Sequence, residues 1–434
     1  MDAMRSSFVV IVVGLLLLPW LAGARASACA PAQQSAPDVL LIVLDDVGWE
    51  DVAALPLANL ATFAPAGRVY TRCYTNPVCT PTRAALLSGI HPHRDLIGTA
   101  VNDEVGLPAR TKTLPEVFAA NGWATGLFGK SHISGSAGMS DNEQARVHGF
   151  ETWRAGSPTN IASHYAWSRT DDGKRTISSL YSTSAVFDEV CTWWSATPGP
   201  KFAVVAPYAP HEPFQAPPPG TLPAGYTVGT TPRELYEAAL VALDWHLGCL
   251  LSVVDMSRTH VLLVTDNGTP HQVPPPGAKS KGYKLTLYEG GVRVPFVWWG
   301  PGVAPGVDAT LVQTLDVPRT VLEVCGLTSP CGFDDSLSFL PTLSGGSGTR
   351  AYAYLSRFSP NGPSPTGVLT IDDWAVVRDD GIKLVKQGTT LALFDTNNDP
   401  WEQFPFPPSA PGYGAALVDL QGYRLSVLGT AWPY

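Results

Sequence analysis

Residues 38–46 read Asp38-Val39-Leu40-Leu41-Ile42-Val43-Leu44-Asp45-Asp46, an unbroken apolar run of strand length closed by two carboxylates. Such a run is the pattern of a strand covered on both faces, as in a parallel sheet, rather than of one with a wet face. Similar runs stand at residues 202–206, 260–265 and 294–298. Helical patterns lie between them, including residues 113–121, which open Thr-Leu-Pro-Glu and stop at Asn-Gly, and residues 233–254. Strands alternating with helices predict an α/β domain built on a large, mostly parallel sheet flanked by helices. In such sheets function gathers just past the carboxyl ends of strands. Asp45 and Asp46 follow the first run, His211 the second, and Asp266 and Asn267 the third.

From about residue 345 the texture changes. SGGSGTR at 344–350 reads as a joint and NGPSPTG at 361–367 as a loop, followed by short strand patterns at 374–378, 382–385 and 391–395. The expected organisation is an α/β domain over 37–344 and a small C-terminal subdomain with an antiparallel sheet over 350–434. Of 434 residues 45% are hydrophobic, enough for a substantial core, while only 15% are charged and Gly and Pro number 41 and 40. Ordered loops are expected in place of long solvated helices. A net charge of −9 with no Lys/Arg cluster argues against nucleic-acid binding, and an anionic substrate must be met by a local basic site.

Arg5 precedes an apolar stretch at residues 8–18, and Ala24-Arg25-Ala26 and Ala26-Ser27-Ala28 offer small-residue cleavage sites. Residues 1–28 therefore read as an export signal and the mature protein as periplasmic or secreted. The stretch is short for a spanning helix, and no transmembrane segment is expected. Cys29 follows Ala28 and gives lipoprotein anchoring as the minor alternative. The chain has seven cysteines and no C-x-x-C pair, which argues against a zinc or thioredoxin-like site. Cys325 and Cys331 bracket a short loop and are expected to form a local bridge.

Two adjacent carboxylates at a strand end repel each other and call for a cation. Asp266-Asn267 adds further oxygen ligands at another strand end. An all-oxygen set suits Ca2+, with Mg2+ as the alternative, rather than zinc. Cys79-Thr80-Pro81-Thr82-Arg83, running on through an apolar helix start to Gly89, resembles the C-x-P-S-R signature of the type I sulfatases, in the alkaline phosphatase superfamily. In that family the cysteine becomes formylglycine after translation. The hydrated aldehyde attacks a sulfate ester with one hydroxyl and expels sulfate with the other, splitting one hard step into two.

The resemblance extends in order along the chain. PDVLLIVLDDVGWEDV (37–52), GLFGKSHISG (126–135), APYAPHEPFQAP (206–217) and YEAALVALDWHLGCLL (236–251) are similar to family blocks. So are VTDNG (264–268), KLTLYEGGVRVP (284–295), LDVPRTVLEVCG (315–326), DDSLSFLPTLSG (334–345) and ALFDTNNDPWEQ (392–403). The resemblance implies calcium held by Asp45, Asp46, Asp266 and Asn267, with modified Cys79 completing the shell. It implies Arg83 at the formylglycine, Lys130 and His132 at the nucleophile and sulfate, and His211 and Lys284 nearest the scissile oxygen. A metal, three cationic side chains and two histidines meet what sulfate transfer needs, positive charge on the sulfate oxygens and a proton for the leaving oxygen.

The implied partners are a sulfated small molecule or carbohydrate as substrate and a formylglycine-generating enzyme during maturation. Thr82 departs from the signature serine, and Ser131 from the tryptophan usual between the lysine and the histidine. Two other readings stay open: a phosphonate or phosphate-ester hydrolase of the same superfamily, and a non-catalytic sulfated-glycan binder if Cys79 is not converted. Residues 154–184 and the proline-rich loops at 216–223 and 274–276 are expected to frame the pocket mouth, and Trp167, Trp193 and Trp194 are candidates for stacking on sugars. His271 follows VTDNG closely enough to touch substrate, whereas Glu289 and Arg293 read as turn and buried-pair structure.

Overall fold

The computed structural model describes residues 36–100, 105–133, 141–329, 331–363 and 366–429. The export segment at 1–28 and Cys29 lie outside the described residues. Strands run in chain order as β1 (Asp38–Leu44), β2 (Arg68–Tyr74), β3 (Ala124–Lys130), β4 (Thr152–Ser157), β5 (Trp167–Asp171) and β6 (Lys174–Ser178). There follow β7 (Lys201–Ala206), β8 (Thr259–Thr265), β9 (Arg293–Trp299), β10 (Gly306–Asp308) and β11 (Val312–Gln313). They form one sheet in the order β10-β2-β9-β8-β1-β7-β3-β4-β5-β6, with β11 also on β2.

The centre is parallel: β1 pairs with both β7 and β8, and β3 with both β7 and β4. Along β1, Val39, Leu41 and Val43 enter the core on one face with Phe118, Phe202 and Leu86, while Leu40, Ile42 and Leu44 enter the other with Phe187, Leu240 and Leu247. Both faces are therefore covered, which is why the run shows no polar alternation. The 294–298 run, read with the parallel strands, lies in β9, which is antiparallel to β8 and β2. Apolar continuity reports burial on two faces and carries no direction. A right-handed parallel crossover needs a packed helix, and only the four-residue helix Glu289–Val292 lies between β8 and β9.

Helix Pro232–Val253 begins with Pro at its first position and a Thr231–Glu234 capping box. By length and composition it is apolar enough to cross a membrane, yet 67% of its apolar window is buried within the fold. Its hydropathy is that of a core helix packed on Ser182–Ala196 and the sheet.

The second sheet is antiparallel, with strands β12 (Tyr352–Ser359), β13 (Ile371–Arg378), β14 (Ile382–Gln387) and β15 (Thr390–Asp395) in sequence order. One face, with Leu355, Val377 and Phe394, packs with Tyr74, Leu287 and Val292 of the main sheet's loops and strands. The other, with Trp374, Leu384 and Leu393, packs with Leu420 and Leu428 of helix Tyr413–Leu428. Lys383 of β14 reaches into the junction, 2.8 Å from Glu289 and 3.0 Å from Glu402, all three fully buried. Glu289 also accepts from Tyr74 and lies 3.6 Å from Arg293, so the expected buried pair is a larger ionic cluster.

The expected Cys325–Cys331 bridge is absent: both are free thiols. Cys325 caps the end of helix Val317–Val324 and packs against the core, whereas Cys331 is exposed. Loop length alone allowed the pairing; the burial of one partner and the outward position of the other do not supply it.

Candidate active site

Because β1, β7, β8 and β3 are parallel, their carboxyl ends share one edge of the sheet. β1 delivers Asp45 and Asp46 there, β8 delivers Asp266 and Asn267, and β3 ends on Lys130 with His132 two residues on. His211 follows β7. β2, reversed twice through β9, points the same way and leads to Cys79, the first residue of the wholly buried helix Cys79–Ser88. Lys284 arrives on the loop after β8.

Eight of these ten predicted residues are joined by hydrogen bonds and ion pairs, and Cys79 and His132 lie close enough to feel their charges. Lys130 Nζ lies 2.5 Å from Asp45 Oδ2, and Lys284 Nζ 2.6 Å from Asp46 Oδ1. Arg83 donates from Nε to Asp266 Oδ2 at 2.9 Å and from Nη1 to the Lys130 carbonyl, and its Nη2 lies 3.6 Å from Asp45. Asn267 Nδ2 donates to Asp46 Oδ1 at 2.7 Å, and His211 Nε2 is 3.7 Å from Asp46 Oδ2. His211 Nδ1 lies 2.7 Å from the Glu212 carbonyl, a contact in which the nitrogen donates and which leaves Nε2 facing the carboxylates.

Three carboxylates thus face three cationic side chains, Arg83, Lys130 and Lys284. Burial works against the charge of Asp45, but Lys130, with His211 and Arg83, holds its carboxyl well below the ordinary range. Burial and the neighbouring Asp45 push Asp266 up to about 7. Burial also pushes the Cys79 thiol up, although Lys130 and Lys284 act in the opposite sense. His132 is driven well down by burial and by the charges of Lys130 and Arg83 and is neutral, whereas His211 is driven down by burial with Asp46 and Asp45 acting in the opposite sense.

Asp45, Asp46 and His211 each offer a ligand atom within 4.8 Å of the others. Asp45 Oδ1 and Asn267 Oδ1 are buried with no hydrogen-bond partner among the described residues. Unpaired buried oxygens are costly, and a cation would satisfy them. Asp266 differs, since Oδ1 accepts from the Asp46 amide and Oδ2 from Arg83.

Asp46 holds φ 65° and His132 φ 51°, left-handed values that side chains avoid unless the surroundings fix them. A network absent from the sequence reading does so at Asp46. Tyr236 Oη donates towards the Asp46 carbonyl and Asp51 Oδ2, each at 2.9 Å, and Asp51 also takes Gly48 N and the Thr269 hydroxyl. Arg233 pairs with Asp51 Oδ1 at 2.6 Å and lies over the Tyr236 ring. Thr269 closes the circuit, its carbonyl accepting from the Lys284 amide. The signal available in sequence was the carboxylate six residues after Asp45, on what is here helix Trp49–Ala54.

A cleft of about 130 Å³ opens from this cluster, lined by Asp46, Lys284, Glu212, Phe214, Pro270, His271, Gln272 and Leu285. His271 is therefore at the mouth as expected. Trp167 and Trp194 are buried and Trp193 packs on Phe128, so the three tryptophans belong to the core and not to the cleft wall. The 154–184 segment meets the proline-rich loop through His164 N and Gln215 and through Tyr165 Oη and the Ala216 carbonyl.

A family model for sulfatases matches residues 37–327. The chain is 28% identical to the N-acetylgalactosamine-6-sulfatase of Canis lupus familiaris, over 90% of this chain and 77% of the relative. It is 24% identical to the arylsulfatase of Klebsiella aerogenes, over 68% and 88%. The fold superposes on Ps i-CgsB in complex with k-i-k-neocarrahexaose with a TM-score of 0.79, 20% identity and 92% and 94% of the two chains covered. For BT4656 in complex with D-glucosamine-2-N,6-O-disulfate the values are 0.70, 15%, 91% and 97%. The α/β scaffold with an oxygen- and cation-rich centre at its strand ends is that of a hydrolase acting on sulfuric esters. The chain belongs to the sulfatase family.

Proposed function

We propose that this enzyme removes sulfate from a sulfated carbohydrate, using formylglycine made from Cys79 and a calcium ion held by Asp45, Asp46, Asp266 and Asn267. The observation that carries the reading is the charge balance around a buried Cys79. Three carboxylates are matched by three cationic side chains, so a cation that takes up the carboxylates leaves those cationic groups free for an anion such as sulfate. The raised thiol is a poor nucleophile as it stands, which fits a cysteine meant for conversion. When present, the formylglycine hydrate supplies an attacking hydroxyl and a second one through which sulfate is expelled. The cation supplies positive charge at the sulfate oxygens.

The chain's own groups have defined tasks. Arg83 holds Asp266 and approaches Asp45, fixing the carboxylates beside Cys79. Lys130 and Lys284, paired with Asp45 and Asp46, provide charge for the non-bridging oxygens once a cation takes up those carboxylates. Neutral His132, with Nδ1 unpartnered, suits a base that takes the proton during sulfate release. His211 is the proton source for the leaving oxygen, because an anionic ester beside it favours the imidazolium that burial alone disfavours. Export through residues 1–28, with conversion of Cys79 by a formylglycine-generating enzyme during maturation, completes the proposal.

A second reading draws on the mixed Asp45–Asp46–His211 group, which suits a transition metal and a phosphate-ester hydrolase. Metal analysis of active protein separates the two: calcium at about one per chain supports the sulfatase chemistry, and stoichiometric zinc contradicts it. A kinetic comparison tests His211. His211→Ala is expected to lower kcat/KM on sugar sulfates by about 10²-fold or more and much less on nitrophenyl sulfate, whose leaving oxygen needs little protonation. Equal losses on both would make His211 a sulfate-binding residue.

A further inference from the structure

The cleft outside the reacting centre has a lining whose charge is not that of a polyanion site. Lys284, the one cationic residue lining it among the described residues, is already paired with Asp46 at the cleft floor. Phe214, Pro270 and Leu285 give apolar surfaces of the kind that cover the C–H faces of a sugar ring. Glu212, His271 and Gln272 are exposed at the rim and present hydrogen-bonding groups, one of them a carboxylate. A carboxylate accepts from hydroxyls and repels sulfate or carboxylate groups.

From this lining we propose that the cleft takes a neutral, hydroxyl-rich sugar carrying a single sulfate, and that Glu212 turns away a second anionic group on the leaving-group sugar. The inference rests on the sulfatase reading above and narrows it. Recognition of polyanions relies on Arg or Lys clamps, and none beyond Lys284 lines this cleft among the described residues. The chain's net charge of −9 adds a long-range field that also disfavours multiply charged ligands. Glu212 is well placed for selection because its main chain is committed elsewhere: its carbonyl accepts from His211 Nδ1 at 2.7 Å. The side chain therefore varies without removing the contact that orients the histidine.

The direct test is sulfate release by converted enzyme from monosulfated neutral sugars, each paired with a counterpart bearing a second sulfate. Wild type is expected to prefer the monosulfated member by about ten-fold or more in kcat/KM, the scale of one like-charge contact in a partly solvated cleft. That preference should shrink with added salt. Glu212→Gln is expected to reduce the ratio several-fold, and Glu212→Lys to reverse it. Equal or faster turnover of the disulfated sugars by wild type overturns the proposal, as does a ratio unchanged in both variants. Nitrophenyl sulfate in the same preparation separates the two levels. Release from it without the sugar preference removes only the selectivity, whereas no release from any substrate despite an aldehyde at position 79 removes the sulfatase reading and this inference with it.

Discussion

Thr82, where the signature has serine, illustrates what a single side chain does at this site. Its hydroxyl takes a hydrogen bond from Thr75 at 2.8 Å and donates to the Asn76 carbonyl at 3.1 Å, and all of these groups are buried. Serine and threonine share that oxygen, so Thr82→Ser is expected to keep stability within about 1 kcal/mol. Thr82→Ala removes both bonds and is expected to cost about 1–3 kcal/mol in denaturant unfolding. Equal stability of all three proteins would remove the hydroxyl from the fold. The identity of Thr82 was legible in the sequence; its partners were not, because they come from residues outside the signature. Tyr236 was less legible still. It lies on a core helix where an aromatic is ordinary, and only its hydroxyl between Asp46 and Asp51 shows the role. Tyr236→Phe is expected to weaken calcium binding, read by calorimetry, with little change in the helix itself.

At the level of elements, the parallel strands were read correctly because burial on both faces writes itself as unbroken apolar runs, and because Asp45-Asp46 and Asp266-Asn267 stand just past their ends. The direction of β9, the short strands β4–β6 and the closing helix Tyr413–Leu428 left no such mark. Direction depends on connections, and that helix is covered on one side only by the second sheet. The loop after β8 was legible as a ligand turn but not as a close backbone approach. A Cβ on Gly268 would sit 1.9 Å from the Gly290 carbonyl oxygen, within the contact where the Gly268 amide bonds the Gly291 carbonyl. Gly268→Ala must push these two backbones apart beside Asn267. It is expected to destabilise by about 3 kcal/mol and to reduce calcium content together with activity. Wild-type stability in this variant would contradict the packing described.

Across the whole molecule the histidines set the response to acid. Eight of the nine are buried, and His271 alone is exposed. Burial pushes His91 down to about 3 and His93, His164, His246 and His260 to about 4. An unfolded histidine binds its proton near pH 6.5, so between that pH and about 4 the unfolded chain binds more protons than the folded one. Stability supplied by these groups is therefore present above pH 6.5 and lost as the pH falls, by up to about 1.4 kcal/mol per pH unit for each. Asp266 and Glu402, both pushed up to about 7 by burial, bind protons when folded over that window and offset part of the loss. The denaturation midpoint is expected to drop steeply from pH 6.5 to 5, and a flat profile would contradict neutral burial. The histidines' burial escaped the sequence reading because isolated histidines carry no periodicity. The central claim, that the strand-end cluster serves a formylglycine made from Cys79, is tested most directly by mass spectrometry of the Cys79 peptide. The same preparations are then assayed for sulfate release. The account predicts activity in proportion to the aldehyde fraction; full activity in protein carrying only the thiol would contradict it.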